Sequence, residues 1–282
     1  MGAERKLADA AWILSGGKIG MGLYYAKIRA HQEPAGTPWS AGGERFQIGS
    51  VMQGLGEGGD FRHGISGRFP EGANPFIRAW ITQMLDYSDE QLIEMLRSEL
   101  RSFGGGDNGD RMVDVFAGRT GNDGNPLVWP PSSNLSQLVL QSNGLGTAFE
   151  NCKLHISVTV EEQLDKGYVD YREMRNMMPR GTLPLPHWAA HKEWLGAGGK
   201  LRGPLGGTQG AYAYIRNFNV FKDRWKVAMI LGINLCDDFG VSDDDCYSPG
   251  LCAFWMLQHQ RGYKPFKNYV YCEIDYSFMT TG

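Results

Sequence analysis

The chain has 282 residues, of which 42% are hydrophobic and 21% charged, a composition that excludes intrinsically disordered and fibrous proteins. The formal net charge of -3 provides no general attraction to nucleic acids or anionic membranes, so we expect no nucleic-acid partner. The 39 glycines are nearly twice the usual share and predict many tight turns.

The first 73 residues are rich in glycine, proline and serine, which predicts an irregular N-terminal arm or loops. Their most apolar part, residues 11–27, is interrupted by Lys18 and by glycines, so it falls short of the about 20 apolar residues of a membrane span. We therefore favour a glycine-rich surface segment over membrane insertion. No secretory signal peptide is apparent at the start of the sequence.

The middle of the chain carries the signals of amphipathic helices. The first begins at Asn74, a favourable N-cap, and the second has a capping box formed by Ser88 and Gln91. Two shorter helices are predicted over residues 109–118 and 132–144.

Alternation of apolar and polar residues then predicts β-strands. The alternating stretches are residues 155–160, 211–218, 225–235 and 268–278. In the last of them Glu273 and Asp275 are expected to face solvent, and a turn is expected near Lys222. Residues 248–262, between the last two strands, predict a buried helix.

Helices that come first and alternating strands that come second predict an α+β fold. We expect a helical N-terminal half packed on an antiparallel sheet of about four to six strands, formed mainly by the C-terminal half. Residues 74–282 are predicted to form one domain, because no repeat or linker divides them.

The five cysteines contain no CxxC pair and no spacing typical of zinc ligands. A sparse, odd number of cysteines suits a reducing compartment, whereas Cys246 and Cys252 could form a disulfide in an oxidising one. Both states stay open at this point, because a sequence does not show whether the two Cβ atoms have the geometry of a disulfide.

Five aspartates follow the best-defined strand within nine residues: Asp237, Asp238, Asp243, Asp244 and Asp245. A strand end holds side chains rigidly, and clustered carboxylates either raise one another's pKa or recruit a hard cation. Asp237, Asp238 and Asp245 are therefore candidate catalytic residues. Asp237, Asp243 and Asp245 are candidate ligands of Mg²⁺ or Ca²⁺. The spacing does not match an EF-hand, and a solvated acidic turn is the alternative.

Three histidines are further candidates. His187 and His191 are four residues apart, so on a helix both imidazoles would face one side and could bind a transition metal. The HExxH zinc motif is absent, and packing against the neighbouring tryptophans is the alternative. His259, near the end of the predicted C-terminal helix, could act with the aspartates as a general acid or base, or cap carbonyl groups.

The C-terminal third resembles a proteobacterial family, domain of unknown function 3289. Members carry a D-H-F-G-L-D-like turn, a W-x-L-Q-H helix and a Y-K-P-F segment. The matching residues are Asp237, Phe239, Gly240, Asp245, Trp255, Leu257, Gln258, His259, Tyr263, Lys264, Pro265 and Phe266. Upstream, "DYSDEQLIEML" resembles the family's acidic helix start. Asp238 stands where the family has histidine, and Ser242 where it has aspartate. A looser likeness, Asp237 and Asp238 followed by His259, connects the chain with the colicin M class, which cleaves the lipid-linked peptidoglycan precursor.

The 3289 family occurs with polymorphic toxins and type VI secretion. The resemblance therefore implies an antibacterial effector that is made in the cytoplasm and secreted without a Sec signal into a target cell. It also implies a cognate immunity protein and a secretion-system component as partners. Together with the acidic loop, this makes a hydrolase acting on the cell envelope the leading hypothesis. The alternatives are a non-enzymatic binding or delivery module and a toxin that disrupts membranes through residues 11–27.

Overall fold

The computed structural model describes residues 45–52, 67–118, 126–166, 169–175, 177–178, 183, 197–221 and 226–280. Within these residues seven helices come mostly before a five-stranded sheet whose long strands lie in the C-terminal half, which confirms the predicted α+β fold. The extent of the domain over residues 74–282 stays a prediction.

Four of the seven helices of the described residues begin at a residue whose side chain caps them: Asn74, Ser88, Ser133 and Ser248. The seven helices are α1 (Pro75–Met84), α2 (Asp89–Ser102), α3 (Gly106–Ala117), α4 (Asn134–Leu140), α5 (Asn143–Asp165), α6 (Ala197–Leu205) and α7 (Pro249–His259). The Asn74 side chain accepts hydrogen bonds from the backbone N–H groups of Phe76 and Ile77 at 2.9 and 3.1 Å. Ser88 and Gln91 form the predicted capping box. Both local predictions are therefore confirmed.

Helix α5 occupies residues 155–160, for which the apolar alternation predicts a strand, so that prediction is wrong. The buried apolar residues of this helix recur at helical spacing: Leu145, Ala148, Phe149, Cys152, Ile156, Val160 and Leu164. Val158, which a strand would bury beside Ile156 and Val160, is 47% exposed. Six residues do not separate the two periods, because Ile156 and Val160 fit both a spacing of two and a spacing of four.

The strands form one mixed sheet in the order β1-β3-β4-β5-β2. They are β1 (Phe46–Met52), β2 (Leu127–Trp129), β3 (Gly210–Phe221), β4 (Lys226–Phe239) and β5 (Phe266–Met279). The pairs β1–β3, β3–β4 and β4–β5 are antiparallel as predicted, whereas the short β2 runs parallel to β5. The Trp129 indole donates a hydrogen bond to Asn268 Oδ1 at 2.7 Å and so adds a side-chain link between β2 and β5.

Strand β1 lies inside the segment that was expected to be irregular. Residues 46–52 pair with β3, with an irregularity between Gln47 and Gly49. The partner strand is more than 150 residues away in sequence, so local composition contains little information about this pairing. The turn expected near Lys222 lies outside the described residues.

The face of β4 that carries its odd-numbered residues belongs to the hydrophobic core. The odd positions from Val227 to Leu235 are at most 4% exposed, which confirms the predicted buried face. The even positions become buried from Gly232 onward, so the second half of β4 is covered on both faces.

A polar cluster covers part of this second face. Glu273, which was predicted to face solvent, has a side chain only 9% exposed, so that prediction is wrong. Arg216 donates hydrogen bonds to both carboxylate oxygens at 2.9 and 2.6 Å, and the Tyr214 hydroxyl donates another at 2.9 Å. The Arg45 guanidinium lies 3.7 Å from the same carboxylate, over the rings of Tyr214 and Tyr271. Period-two alternation identifies the face of Glu273 but does not show what covers that face.

Helix α7 packs against α1 and α2 and supports the end of β4. The Phe254 ring lies 5.1 Å from that of Phe239, the last residue of β4, and 4.8 Å from that of Phe116. Ser248 caps the helix, and Gly262 follows it with a positive φ of 77°, as the sequence predicts. In the part of the chain described here, none of the helices has the length and apolar character needed to cross a membrane.

Candidate active-site cleft

A cleft of about 380 Å³ lies at the C-terminal end of β4. Its polar lining comes from β4, the following loop, helix α6 and the residues after α6: Asp237, Asp238, Asp245, Tyr247, Arg202, Thr208 and Gln209. Apolar residues of α7 and of the C-terminal end of α2, among them Phe254 and Phe103, which directly follows α2, complete the walls. The cleft is thus a concave site lined by both polar and apolar residues, which is typical of binding sites for small molecules.

The two aspartates of β4 are almost completely buried, with exposed fractions of 7% for Asp237 and 6% for Asp238. Consecutive residues of a strand project from opposite faces of a sheet, so Asp237 shares the face of Leu235 and Asp238 the opposite face. Both line the cleft because β3 begins only at Gly210, which pairs with Cys236, so residues 237–239 lie beyond the start of β3.

Residues 240–247, here called the acidic loop, are attached to α7 near their first end. The Val241 N–H donates to Gln258 Oε1 at 3.0 Å, and Gln258 Nε2 donates to the Val241 carbonyl at 3.1 Å. His259 Nε2 lies 2.9 Å from the same carbonyl and must be the donor, because a carbonyl oxygen only accepts. The His259 ring also stacks on Trp255. The imidazole therefore holds the loop and does not line the cleft.

A short 3-10 turn, Asp243–Asp245, forms the centre of the acidic loop. Oδ2 of Asp245 accepts hydrogen bonds from the backbone N–H and the hydroxyl of Ser242, at 2.8 and 2.7 Å. Oδ1 of Asp243 accepts from the Trp255 indole at 2.7 Å. Two of the clustered carboxylates thus have structural hydrogen bonds, Asp245 within the loop and Asp243 to the following helix. Of these two, Asp245 also lines the cleft.

The second end of the acidic loop is joined to α7 by a disulfide between Cys246 and Cys252. Both residues are buried, with exposed fractions of 1% and 0%. The sequence left this pair open between thiols and a disulfide, and the structure contains the disulfide.

Arg202, on helix α6, also lines the cleft. Its guanidinium lies 4.8 Å above the Phe103 ring at the end of α2. Helix α6 approaches α2 closely because residue 203 is glycine: a Cβ there would lie 2.8 Å from the Leu100 carbonyl oxygen. Burial raises the pKa of Tyr247, and the nearby Arg202 charge opposes that rise. The guanidinium and the phenol are therefore electrostatic neighbours at the cleft.

The structure brings together three of the four residues proposed as catalytic, Asp237, Asp238 and Asp245. The fourth, His259, lies behind the acidic loop. His187 and His191 lie outside the described residues. Arg202 and Tyr247 were missed as site residues. Tyr247 lies two residues after Asp245, and this closeness in sequence is a signal for it, whereas Arg202 is 35 residues from Asp237 and has no local signal.

The proposed cation ligands are not gathered around one point. Asp243 is held by Trp255 and is absent from the cleft lining, while Asp237 and Asp245 line it. Within the described segments no group of three or more histidine, cysteine, aspartate or glutamate side chains is arranged to bind a metal ion. A bound Mg²⁺ or Ca²⁺ at Asp237, Asp243 and Asp245 would require the acidic loop to rearrange.

Comparison with known proteins adds no identification: no family model matches the chain, and no curated protein or solved structure matches it. The resemblance to the 3289 family and to the colicin M class is therefore carried by the quoted residues alone. What it implies about activity, partners and export stays a prediction.

Proposed function

We propose that the chain is a secreted antibacterial effector that hydrolyses a component of the bacterial cell envelope, with the cleft at the end of β4 as its active site. The observation that carries the proposal is the convergence of Asp237, Asp238 and Asp245 in one cleft. Hydrolysis needs one group that takes a proton from water and another that gives a proton to the leaving group, and neighbouring carboxylates can perform both tasks.

The surroundings of the aspartates support this assignment. Asp237 and Asp238 are buried at the end of a central strand, so their positions are rigid. Asp245 is oriented by its two hydrogen bonds from Ser242. Arg202 lines the same cleft and can stabilise negative charge that develops on the substrate. In this proposal His259 positions the acidic loop through Val241 instead of transferring protons.

The proposal is tested by measuring bacterial growth when the chain is produced in the cytoplasm and when it is exported to the periplasm. We expect growth inhibition by the wild type and its loss in the Asp237→Asn/Asp245→Asn double variant. Asp244→Asn is the matched control, because Asp244 is an exposed aspartate of the same loop outside the cleft. Release of soluble fragments from isolated envelope material, measured with Mg²⁺, Ca²⁺ or a chelator, tests hydrolysis and the cation together. A folded double variant that still inhibits growth would refute the site.

A non-enzymatic binding module is the second candidate, and an exposed apolar pair on α5 favours it. Leu154 and Val158 are four residues apart on one helical face and are 61% and 47% exposed. Such a pair suits docking of an immunity protein or a secretion component. Under this alternative, Leu154→Glu/Val158→Glu abolishes capture of the co-encoded partner, whereas the double aspartate variant keeps both partner capture and biological activity.

A further inference from the structure

The disulfide joins two cysteines that are each adjacent in sequence to residues lining the cleft. Cys246 lies between Asp245 and Tyr247, which both line the cleft, and Cys252 directly follows Leu251, another lining residue. The bond therefore connects two parts of the cleft wall, the acidic loop and the first turn of α7.

The acidic loop is attached to α7 near both of its ends and, at its centre, by the hydrogen bond that the Trp255 indole donates to Asp243. Near the first end, Gln258 and His259 hold Val241 by hydrogen bonds. At the second end, the disulfide joins Cys246 to the helix. The hydrogen bonds of Ser242 with Asp245 lie inside the loop and fix its shape, but they do not attach it to the helix. Without the bond, Asp245 and Tyr247 would follow an end of the loop that is less constrained.

Both cysteines of the disulfide are buried, which limits the access of external thiols to the bond. Cys246 and Cys252 are at most 1% exposed, so in the folded protein an external thiol does not reach the disulfide without local opening. Cys152, Cys236 and Cys272 are also buried and stay unpaired. Of the five cysteines, the two in the cleft wall are thus the pair that is bridged, and their disulfide is protected from reduction once it has formed.

Resting on the proposed function, we infer that oxidation of Cys246 and Cys252 completes the active site, so that the chain is an effector of an oxidising compartment, the periplasm of the target cell. In the reducing cytoplasm both residues are thiols, and the second end of the acidic loop, with Asp245 and Tyr247, is less constrained. Oxidation removes one proton and one electron from each thiol. The two electrons and two protons pass to an external disulfide, which becomes a dithiol, while the Sγ–Sγ bond forms.

The inference is tested with the purified full chain in three forms: oxidised, reduced under mild denaturant and refolded with an excess of dithiothreitol, and Cys246→Ala/Cys252→Ala. Cys152→Ala is the matched control, because it removes a buried thiol that does not line the cleft. Intact mass shows which form carries the disulfide. Release of envelope fragments is expected to fall roughly ten-fold or more in the reduced and double-alanine forms and to stay unchanged in the control.

Amide hydrogen exchange provides a readout that does not depend on activity. The amides of residues 241–247 and the Trp255 indole N–H are expected to exchange faster in the reduced and double-alanine forms, while the core of β4 stays protected. Equal activity and equal exchange in all forms would overturn the inference and leave the proposed function intact. An oxidised chain with no activity on any envelope preparation would overturn the proposed function, and the exchange data would then decide alone whether the disulfide orders the cleft.

Discussion

Adding one methyl group at Gly232 should lower the free energy of unfolding by an amount that can be worked out from the packing around it. Gly232 lies on β4 opposite Tyr214 of β3, and the tyrosine ring covers it. A Cβ at residue 232 would lie 2.2 Å from Cζ and 2.6 Å from the hydroxyl oxygen of Tyr214, well inside van der Waals contact. The ring has little room to move, since its hydroxyl donates to Glu273 and its face lies 5.3 Å from the Arg45 guanidinium.

For Gly232→Ala we therefore expect a loss of about 3 kcal/mol in the free energy of unfolding. Overpacking of a core costs about 1–3 kcal/mol. Displacing Tyr214 breaks its buried hydrogen bond to Glu273, which costs about 1–3 kcal/mol more. The lower entropy of the unfolded chain with alanine returns about 0.4–1 kcal/mol. Urea denaturation followed by circular dichroism measures the difference, with the slope of the transition checked for two-state behaviour.

A second background separates this clash from a general intolerance of alanine. Tyr214→Leu keeps an apolar side chain but removes Cζ, Cε2 and the hydroxyl, the three atoms nearest the new Cβ. In that background Gly232→Ala should change stability by less than about 0.5 kcal/mol, so the coupling energy of the double-mutant cycle is roughly the full effect. Equal losses in the two backgrounds, or a loss below about 1 kcal/mol in the wild type, would refute the packing described for this face.

Three further predictions concern other parts of the fold. Trp129→Phe should lower the free energy of unfolding by about 2 kcal/mol in urea denaturation, because it leaves the fully buried Asn268 Oδ1 without its indole donor. The Arg101 hydrogen bond lowers the pKa of Asp110 below its ordinary 3.8, so this carboxylate stabilises the fold above that pH and loses its effect as pH falls through the lowered value. Acid titrations should therefore show a shallower loss of stability below pH 3.8 in Asp110→Asn than in the wild type. Burial raises the pKa of Cys152 to about 12, and the two other unbridged cysteines are equally buried, so a thiol reagent at neutral pH should label none of the three until denaturant is added.

Local signals in the sequence were sufficient for a large part of the fold. The caps at Asn74, Ser88 and Ser248 predicted the starts of α1, α2 and α7, because a cap involves only residues within one helical turn. The long alternation of residues 225–235 predicted β4 with its buried face, since period two over many residues fits no helix. The same reasoning located the acidic residues at the end of a central strand.

Prediction failed where the sequence pattern was short or where the structure depends on contacts between residues that are distant in sequence. Residues 155–160 were assigned to a strand because six residues do not distinguish the two periods, and β1 was missed because its order depends on pairing with β3. Glu273 alternates like a solvent-facing residue, yet Arg216 and Arg45, which are remote in sequence, enclose it.

For the candidate site, the sequence alone identified the candidate carboxylates, which lie at the end of a long strand and in the loop that follows it. Only the tertiary structure decided where they lie: Asp237, Asp238 and Asp245 line one cleft together with Arg202, whereas Asp243 and His259 hold the loop. The pairing of Cys246 with Cys252 was also decided there. The physical reason is that residue type and local spacing act within a few residues, whereas cleft lining depends on contacts between elements that only folding brings together.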